Sequence, residues 1–266
     1  MTLPAPAWLF CPADRSDRYA KAAAVADLVI LDLEDAVAPA NKPGAREAVR
    51  RAELDPARVI VRVNPVGTPF HDPDLAMVRS SPYRAIMLAK AEAADQLDAL
   101  GDFAVIALIE TAIGVLRVEQ IAAHPATAGL MWGAEDLIAS IGGQSSRNND
   151  GAYREVCRHA RSSVLLAAGA HGKAAVDSVY LNIPDLAGLS VESADATASG
   201  FTHKACIHPS HVEPIRAAFR PKAEQLDWAR RVLAAVREGG VATVDGRMVD
   251  APVLRQAERI VQLGGD

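Results

Sequence analysis

Short, unbroken apolar runs recur along the chain, and most end in a polar or charged residue. Trp8–Ala13, Leu28–Leu33, Val59–Val63, Ala85–Ala89, Ala104–Ile109, Gly129–Trp132, Ala174–Val179 and Lys204–Ile207 have the length of strands buried on both faces. Between them lie stretches with helical spacing or helix length: Arg18–Asp27, Gly44–Leu54, Ala93–Leu100, Thr111–His124, Gly151–Gly172, Leu186–Ser199 and Val212–Phe219. The strands end near residues 13, 34, 64, 90, 110, 136, 179 and 208, a spacing close to one βα unit. This pattern predicts an α/β fold, a (β/α)8 TIM barrel. A doubly wound open sheet is the alternative. It usually carries a glycine-rich turn after its first strand, and Pro12-Ala13-Asp14-Arg15 is not one. Beyond Arg220 the pattern changes. Pro221 breaks the chain, Lys222–Glu238 reads as a long helix ended by Gly239-Gly240, Val241–Val249 alternates like a hairpin around Asp245-Gly246, and Asp250–Gln262 reads as a last helix. We therefore expect a barrel over residues 1–220 and a C-terminal extension over 221–266, serving as a lid or as an arm on a neighbouring subunit.

Composition removes several function classes. The 266 residues are 50% hydrophobic with a net charge of −5 and both signs mixed, which leaves no footprint for nucleic acid and no basic face for a membrane. Cys11, Cys157 and Cys206 lie far apart without a C-x-x-C, so neither a disulfide framework nor a structural zinc is expected. No apolar run approaches a membrane span, and no signal-like segment opens the sequence, so a cytoplasmic location is expected.

In a barrel of this kind chemistry sits at the C-terminal ends of the strands. The residues there are Arg15, Glu34, Asp35, Arg62, Asn64, Lys90, Glu110, Glu135, Asp136 and His208. Glu110 and Asp136 follow consecutive strands, so their carboxylates converge at the barrel mouth. Few oxygen ligands with open positions suit Mg²⁺, which keeps waters and accepts substrate oxygens; the alternative is that both acids cap the helices that follow. Arg62, inside a strand, reads as a bidentate clamp on a substrate carboxylate or as a salt bridge to Glu34 or Glu110. Lys90 reads as electrostatic support or a substrate contact. A Schiff-base role is opposed by the acids around it, which keep its ammonium charged.

Seven segments carry a resemblance in order: LFCPADRSDRYAKA, LDLEDAV, RVN, MLAKAE, LIET, GAEDL and CIHPSHV. From about Trp8 to Leu254 the chain resembles the HpcH/HpaI aldolase–citrate lyase family, more narrowly its stand-alone citrate lyase β-subunit-like branch. The resemblance implies a trimeric TIM barrel with Mg²⁺ on Glu110 and Asp136. It implies that Arg62 and the backbone of Gly133, Ala134, Glu135 and Asp136 hold an α-keto acid. It further implies that the first loop, with Phe10, Arg15 and Lys21, receives coenzyme A, with Lys90 a further contact. MVDAP resembles the family's tail motif, whose acid, here Asp250, enters a neighbour's site as acid/base. After LIET the family often has Ala-Arg-Gly or Pro-Arg-Gly. This chain has Ala112-Ile113-Gly114, so a charge contact is missing while the metal pair is kept.

The function so implied is Mg²⁺-dependent, reversible cleavage of a β-hydroxyacyl-CoA, malyl-CoA or citramalyl-CoA, to acetyl-CoA plus glyoxylate or pyruvate, with thioester hydrolysis as a following step. Glu34 and Asp35 would orient metal-bound waters. The rivals are a metal aldolase on free hydroxy-keto acids, a citrate lyase β subunit working with an acyl carrier protein, and a catalytically idle scaffold.

Overall fold

The computed structural model describes residues 6–237 and 243–264. The chain divides into two compact units, Met1–Ile215 and Arg216–Asp266.

In the first unit eight parallel strands, β1 (Ala7–Pro12), β2 (Leu28–Asp32), β3 (Val59–Val63), β4 (Ala85–Leu88), β5 (Ala104–Ile109), β6 (Thr127–Trp132), β7 (Ala174–Asp177) and β8 (His203–Cys206), close into a barrel. Trp8 of β1 pairs with Leu28 of β2 on one side and Ala205 of β8 on the other, which seals it. Successive side chains alternate between the barrel interior and the helix layer. Trp8, Leu28, Ile30, Ile60, Ala85, Met87, Ile106, Leu108, Met131, Val176 and Ala205 form the interior cluster. Their strand neighbours, such as Val29, Leu31 and Val61, are equally buried. That double burial is why the strands read as continuous apolar runs.

The helices are α1 (Tyr19–Val25), α2 (Lys42–Arg50), α3 (His71–Arg79), α4 (Ala112–Leu116), α5 (Val118–Ala123), α6 (Ala134–Ser140), α7 (Glu155–Ala170), α8 (Leu186–Ser199) and α9 (Val212–Phe219). Three expectations need correction. First, α3, like α6, fills a stretch in which the sequence pattern predicts no element. Pro73 falls in its first turn, where a missing N–H costs little. Second, the helix expected over 111–124 breaks at Arg117 into α4 and α5. Gly114 lets α4 approach the chain after β4 closely, since a Cβ there would lie 2.5 Å from the Ala91 carbonyl oxygen. Third, α7 starts at Glu155 rather than Gly151. Gly151 has φ +84°, and Arg147 bridges Tyr153, so the preceding residues form a folded loop.

In the second unit α10 (Ala223–Arg237) and α11 (Ala251–Gly264) bury Ala229, Val232 and Ala257 against Trp228, Val253 and Ile260. A short hairpin, β9 (Thr243–Val244) and β10 (Arg247–Met248), turns through Asp245 and Gly246, both at positive φ. The helix stop expected at Gly239-Gly240 and the first two hairpin residues expected at Val241 and Ala242 lie outside the described residues. Among the described residues no helix is long and apolar enough to cross a membrane.

Candidate active site

The mouth of the barrel is the next interior layer above the apolar core. Counting on by two from Leu108 gives Glu110, from Met131 gives Gly133, from Ile30 gives Asp32, and from Ile60 gives Arg62. These residues, with Phe10, Asp35, Glu135, Asp136, Ser178, Leu181 and Ile207, line a cavity of about 410 Å³. A wider cleft of about 710 Å³ opens beside the strand starts, walled by Asp98, Phe103, His124 and Lys173. It lies away from the strand ends that carry the acids, so we place the chemistry in the smaller cavity.

Arg62 is anchored more fully than its sequence suggests. Its Nε and Nη2 each donate to Asp32, at 2.7 Å to Oδ1 and Oδ2, and its Nη1 pairs with Glu34 Oε2 at 3.1 Å. Asp32 and Arg62 face each other in register across β2 and β3. Asp32 also accepts the Glu34 and Ala36 N–H groups, so one buried carboxylate sets both the arginine and the turn that carries Glu34. Of the alternatives read for Arg62, the ion pair with Glu34 is present. Asp32, its main partner, was no part of that reading. The guanidinium lies 5.0 Å from the Phe10 ring centre and keeps one N–H on each terminal nitrogen beyond these pairs.

A buried lysine braces the same corner from behind. Lys42 Nζ donates to the carbonyls of Leu33 (2.7 Å) and Glu34 (2.8 Å) and to Asn64 Oδ1 (2.9 Å). Asn64 in turn donates to Asp74, which is buried and pairs with Arg46. Neither Lys42 nor Asp74 stands out in the sequence, because only the folded chain brings them behind the strand ends.

The acids meet at Lys90. Its ammonium lies 2.6 Å from Glu34 Oε1, 3.1 Å from Asp136 Oδ1, 3.7 Å from Asp35 Oδ2 and 3.9 Å from Glu110 Oε1. Its backbone N–H donates to Glu110 Oε1 at 3.0 Å, and its φ is +50°, a conformation uncommon outside glycine. Burial lowers the tendency of this ammonium to stay charged. The hydrogen bond to Glu34 and the charges of Glu110, Glu34 and Asp136 outweigh it and raise its pKa. Glu110 is 3% exposed, and burial, reinforced by the Asp136 charge, pushes its carboxyl up to about 8. Burial raises Glu34 as well, against the pull of Arg62 and Lys90.

Capping does not account for Glu110. The cap of α4 is Thr111, whose hydroxyl accepts the Gly114 N–H, and α6 is capped by the Gly133 backbone with Asp136 in its first turn. Gly133 packs directly on Glu110. A Cβ there would come within 2.8 Å of Oε2, so glycine keeps that side of the carboxylate open. Five carboxylates, Asp32, Glu34, Asp35, Glu110 and Asp136, gather about two cations, Arg62 and Lys90, and Glu135 lines the same cavity. Among the described residues no three His, Cys, Asp or Glu side chains form a metal cage. Glu110, which is buried, and Asp136, which is only half-buried, fit a cation that takes two protein oxygens and fills its remaining positions with water and substrate, as Mg²⁺ does. Gly133 N–H is already taken by the Ile109 carbonyl (3.1 Å), which removes it from the backbone donors available to a ligand.

The remaining candidates lie elsewhere. Arg15 is paired with Asp17 and half-exposed, and Lys21 faces solvent on α1; neither lines the cavity. His208 is exposed and bonds Ser210. In the second unit Asp250 is exposed, and its Oδ1 accepts the Val253 N–H at 3.1 Å at the start of α11. Sequence reasoning missed Ser146, whose hydroxyl donates to Glu135 Oε1 at 2.6 Å and ties the loop after α6 to the cavity wall.

Comparison with known proteins fits this geometry. The sequence profile of the HpcH/HpaI aldolase/citrate lyase family matches residues 7–209. The chain is 34% identical to a (3S)-malyl-CoA thioesterase of Cereibacter sphaeroides over 91% of this chain and 88% of that protein. It is 30% identical to the mitochondrial citramalyl-CoA lyase of Homo sapiens over 98% and 86%. The crystal structure of CitE from Mycobacterium tuberculosis in complex with magnesium, acetoacetate and coenzyme A superposes with a TM-score of 0.95, at 53% identity over 99% of both chains.

Proposed function

This chain belongs to the HpcH/HpaI aldolase/citrate lyase family, and from that premise we propose that it is a Mg²⁺-dependent lyase acting reversibly on β-hydroxyacyl-CoA thioesters. Malyl-CoA or citramalyl-CoA would yield acetyl-CoA plus glyoxylate or pyruvate. The observation that carries this reading is the convergence of Glu110 and Asp136 beside Arg62 at the mouth of one cavity. Glu110 and Asp136 would hold the metal, which when bound supplies a Lewis-acid charge and a template for the oxygens of a keto acid.

The chain's own residues do the rest. Arg62 is prefixed by Asp32, so it presents its free N–H groups to a substrate carboxylate with little ordering cost. Ala134, Glu135 and Asp136 open α6, and their N–H groups have no partner within it, which suits the same anionic end. Leu108, Met131, Val179, Leu181 and Ile207 give the wall an apolar side, which lowers the local dielectric and strengthens these interactions. As the C–C bond breaks, the Asp250 carboxylate takes the β-hydroxyl proton and the bonding electrons move to the carbon that becomes the acetyl methyl group. Asp250, from the tail of a second copy in a homotrimer, delivers a proton there; in condensation its carboxylate removes a methyl proton. Arg15 and Lys21, with Phe10, receive the coenzyme A end.

The test is an assay of purified protein with acetyl-CoA and glyoxylate or pyruvate, run in both directions with Mg²⁺ and with EDTA, following free thiol and products by mass spectrometry. Turnover with Mg²⁺ that stops in EDTA supports the lyase, and thiol release shows whether hydrolysis follows. Cleavage of free keto acids alone moves the protein to the aldolase branch.

One pH dependence follows from the Glu110 carboxyl at about 8. Protons compete with the metal for this group, so Mg²⁺ affinity measured by calorimetry should fall as pH drops below about 8, by roughly tenfold per unit where one proton is displaced.

A further inference from the structure

Lys90 does more than neutralise charge. Four carboxylates from the turn after β2, the end of β5 and the first turn of α6 share this one ammonium, at distances of 2.6 to 3.9 Å. Two of them, Glu110 and Asp136, are the proposed metal ligands. Lys90 reaches Glu110 twice, through Nζ and through its backbone N–H. The residue adopts a left-handed backbone, φ +50°, to do so. A non-glycine side chain in that region is held there by its surroundings, here by hydrogen bonds from both ends of the lysine to the acid cluster.

We propose that Lys90 sets the metal affinity of this site by competing, as a tethered cation, with the divalent ion for the Glu110 and Asp136 oxygens. The proposal rests on the metal reading above and adds its control. A built-in ammonium lets four acids converge as the barrel folds, before any metal is captured. It also weakens metal capture, so the ion exchanges readily and is held more firmly once a keto acid adds oxygens of its own. The lysine is thus a positioning residue that acts on the carboxylates.

The test is Mg²⁺ titration by calorimetry at pH 8.5 and low ionic strength, on wild type, Lys90→Met and Lys90→Arg. Lys90→Met should bind Mg²⁺ at least about tenfold more tightly, a modest share of the Coulomb interaction of unit charges at these distances. Lys90→Arg keeps the charge and should stay within about threefold of wild type. Equal or weaker binding by Lys90→Met overturns the proposal while leaving the metal reading intact. No Mg²⁺ binding by wild type overturns both. Because Lys90→Met leaves buried acids without their cation and can fail to fold, the wild-type protein supplies a second readout. The ammonium signal of Lys90 in ¹⁵N-lysine spectra should move in step with Mg²⁺ occupancy, and a signal indifferent to saturating Mg²⁺ also overturns the proposal.

Discussion

Glu110→Gln is expected to abolish metal-dependent turnover while making the protein more stable at alkaline pH. The substitution keeps the shape of the side chain and removes a carboxylate oxygen from the proposed metal pair. Losing Lewis-acid stabilisation worth several kcal/mol corresponds to a fall in kcat/KM on the order of 10³-fold. Stability runs the other way. Glu110 has its folded pKa raised from 4.5 to about 8 by burial and by Asp136. The folded protein therefore binds the extra proton between those values, and the resulting stabilisation is full below about 4.5 and lost as pH rises through about 8. A glutamine cannot ionise, so the Tm advantage of Glu110→Gln over wild type in EDTA should grow across that window. A variant that keeps turnover would remove Glu110 from the metal site. A variant less stable than wild type at pH 9 would show that the carboxylate is better paired with Lys90 than its burial implies.

Asp177→Ala is expected to have the largest effect on folding. Asp177 is 1% exposed and accepts from Trp132 Nε1 (2.7 Å), Arg161 Nε (3.0 Å) and Lys204 Nζ (2.8 Å). Burial alone would raise its pKa; the charges of Lys204 and Arg161 outweigh that and hold it below the usual carboxylate range. Lys204 is fully buried and also donates to Ser178 O and to Glu192. Removing the acid leaves two cations in the sheet–helix layer with one partner fewer. Breaking a buried pair in this way costs about 3–5 kcal/mol, or a fall in Tm on the order of 10 °C. Thermal unfolding measures it directly, and a loss under about 1 kcal/mol would mean that Glu192 and Asp195 take over the pairing. The same acid anchors Trp132, the residue before Gly133, so the surviving folded fraction should also bind metal less well.

Much of the barrel was legible because strands buried on both faces cannot hide their composition. Val59–Val63 and Ala104–Ile109 are found where the apolar runs place them. Elements whose identity rests on context were not legible. His71–Arg79 holds a proline and three acidic or histidine residues in its first turn; it docks through buried Leu75, Met77 and Val78 and through the contacts of His71 and Asp74 with Asn64. The helix breaks at Arg117, and the close packing of Gly114 against a distant carbonyl is a contact that no local pattern carries. The site divides the same way. Glu110, Asp136 and Arg62 announce themselves as charges at strand ends, whereas Asp32 passes as one more acid in LDLED until the β2–β3 register sets it opposite Arg62. Lys42 and Ser146 act through contacts 8 to 22 residues away along the chain, so their roles exist only in three dimensions.

The alternation that carries the barrel core upward into Asp32, Arg62, Glu110 and Gly133 has a consequence for how such a protein can change. Each of these residues faces the cavity because it stands an even number of residues beyond an interior position of its strand. A single-residue insertion or deletion inside β2, β3, β5 or β6 would turn the following residue outward into the helix layer and bring an apolar neighbour to the mouth. Substitutions can therefore be sampled one at a time, but length changes cannot. A library of random indels selected for activity should return no survivors inside β2, β3, β5 or β6, and the intolerant stretches of that map would mark these strands without a diffraction experiment.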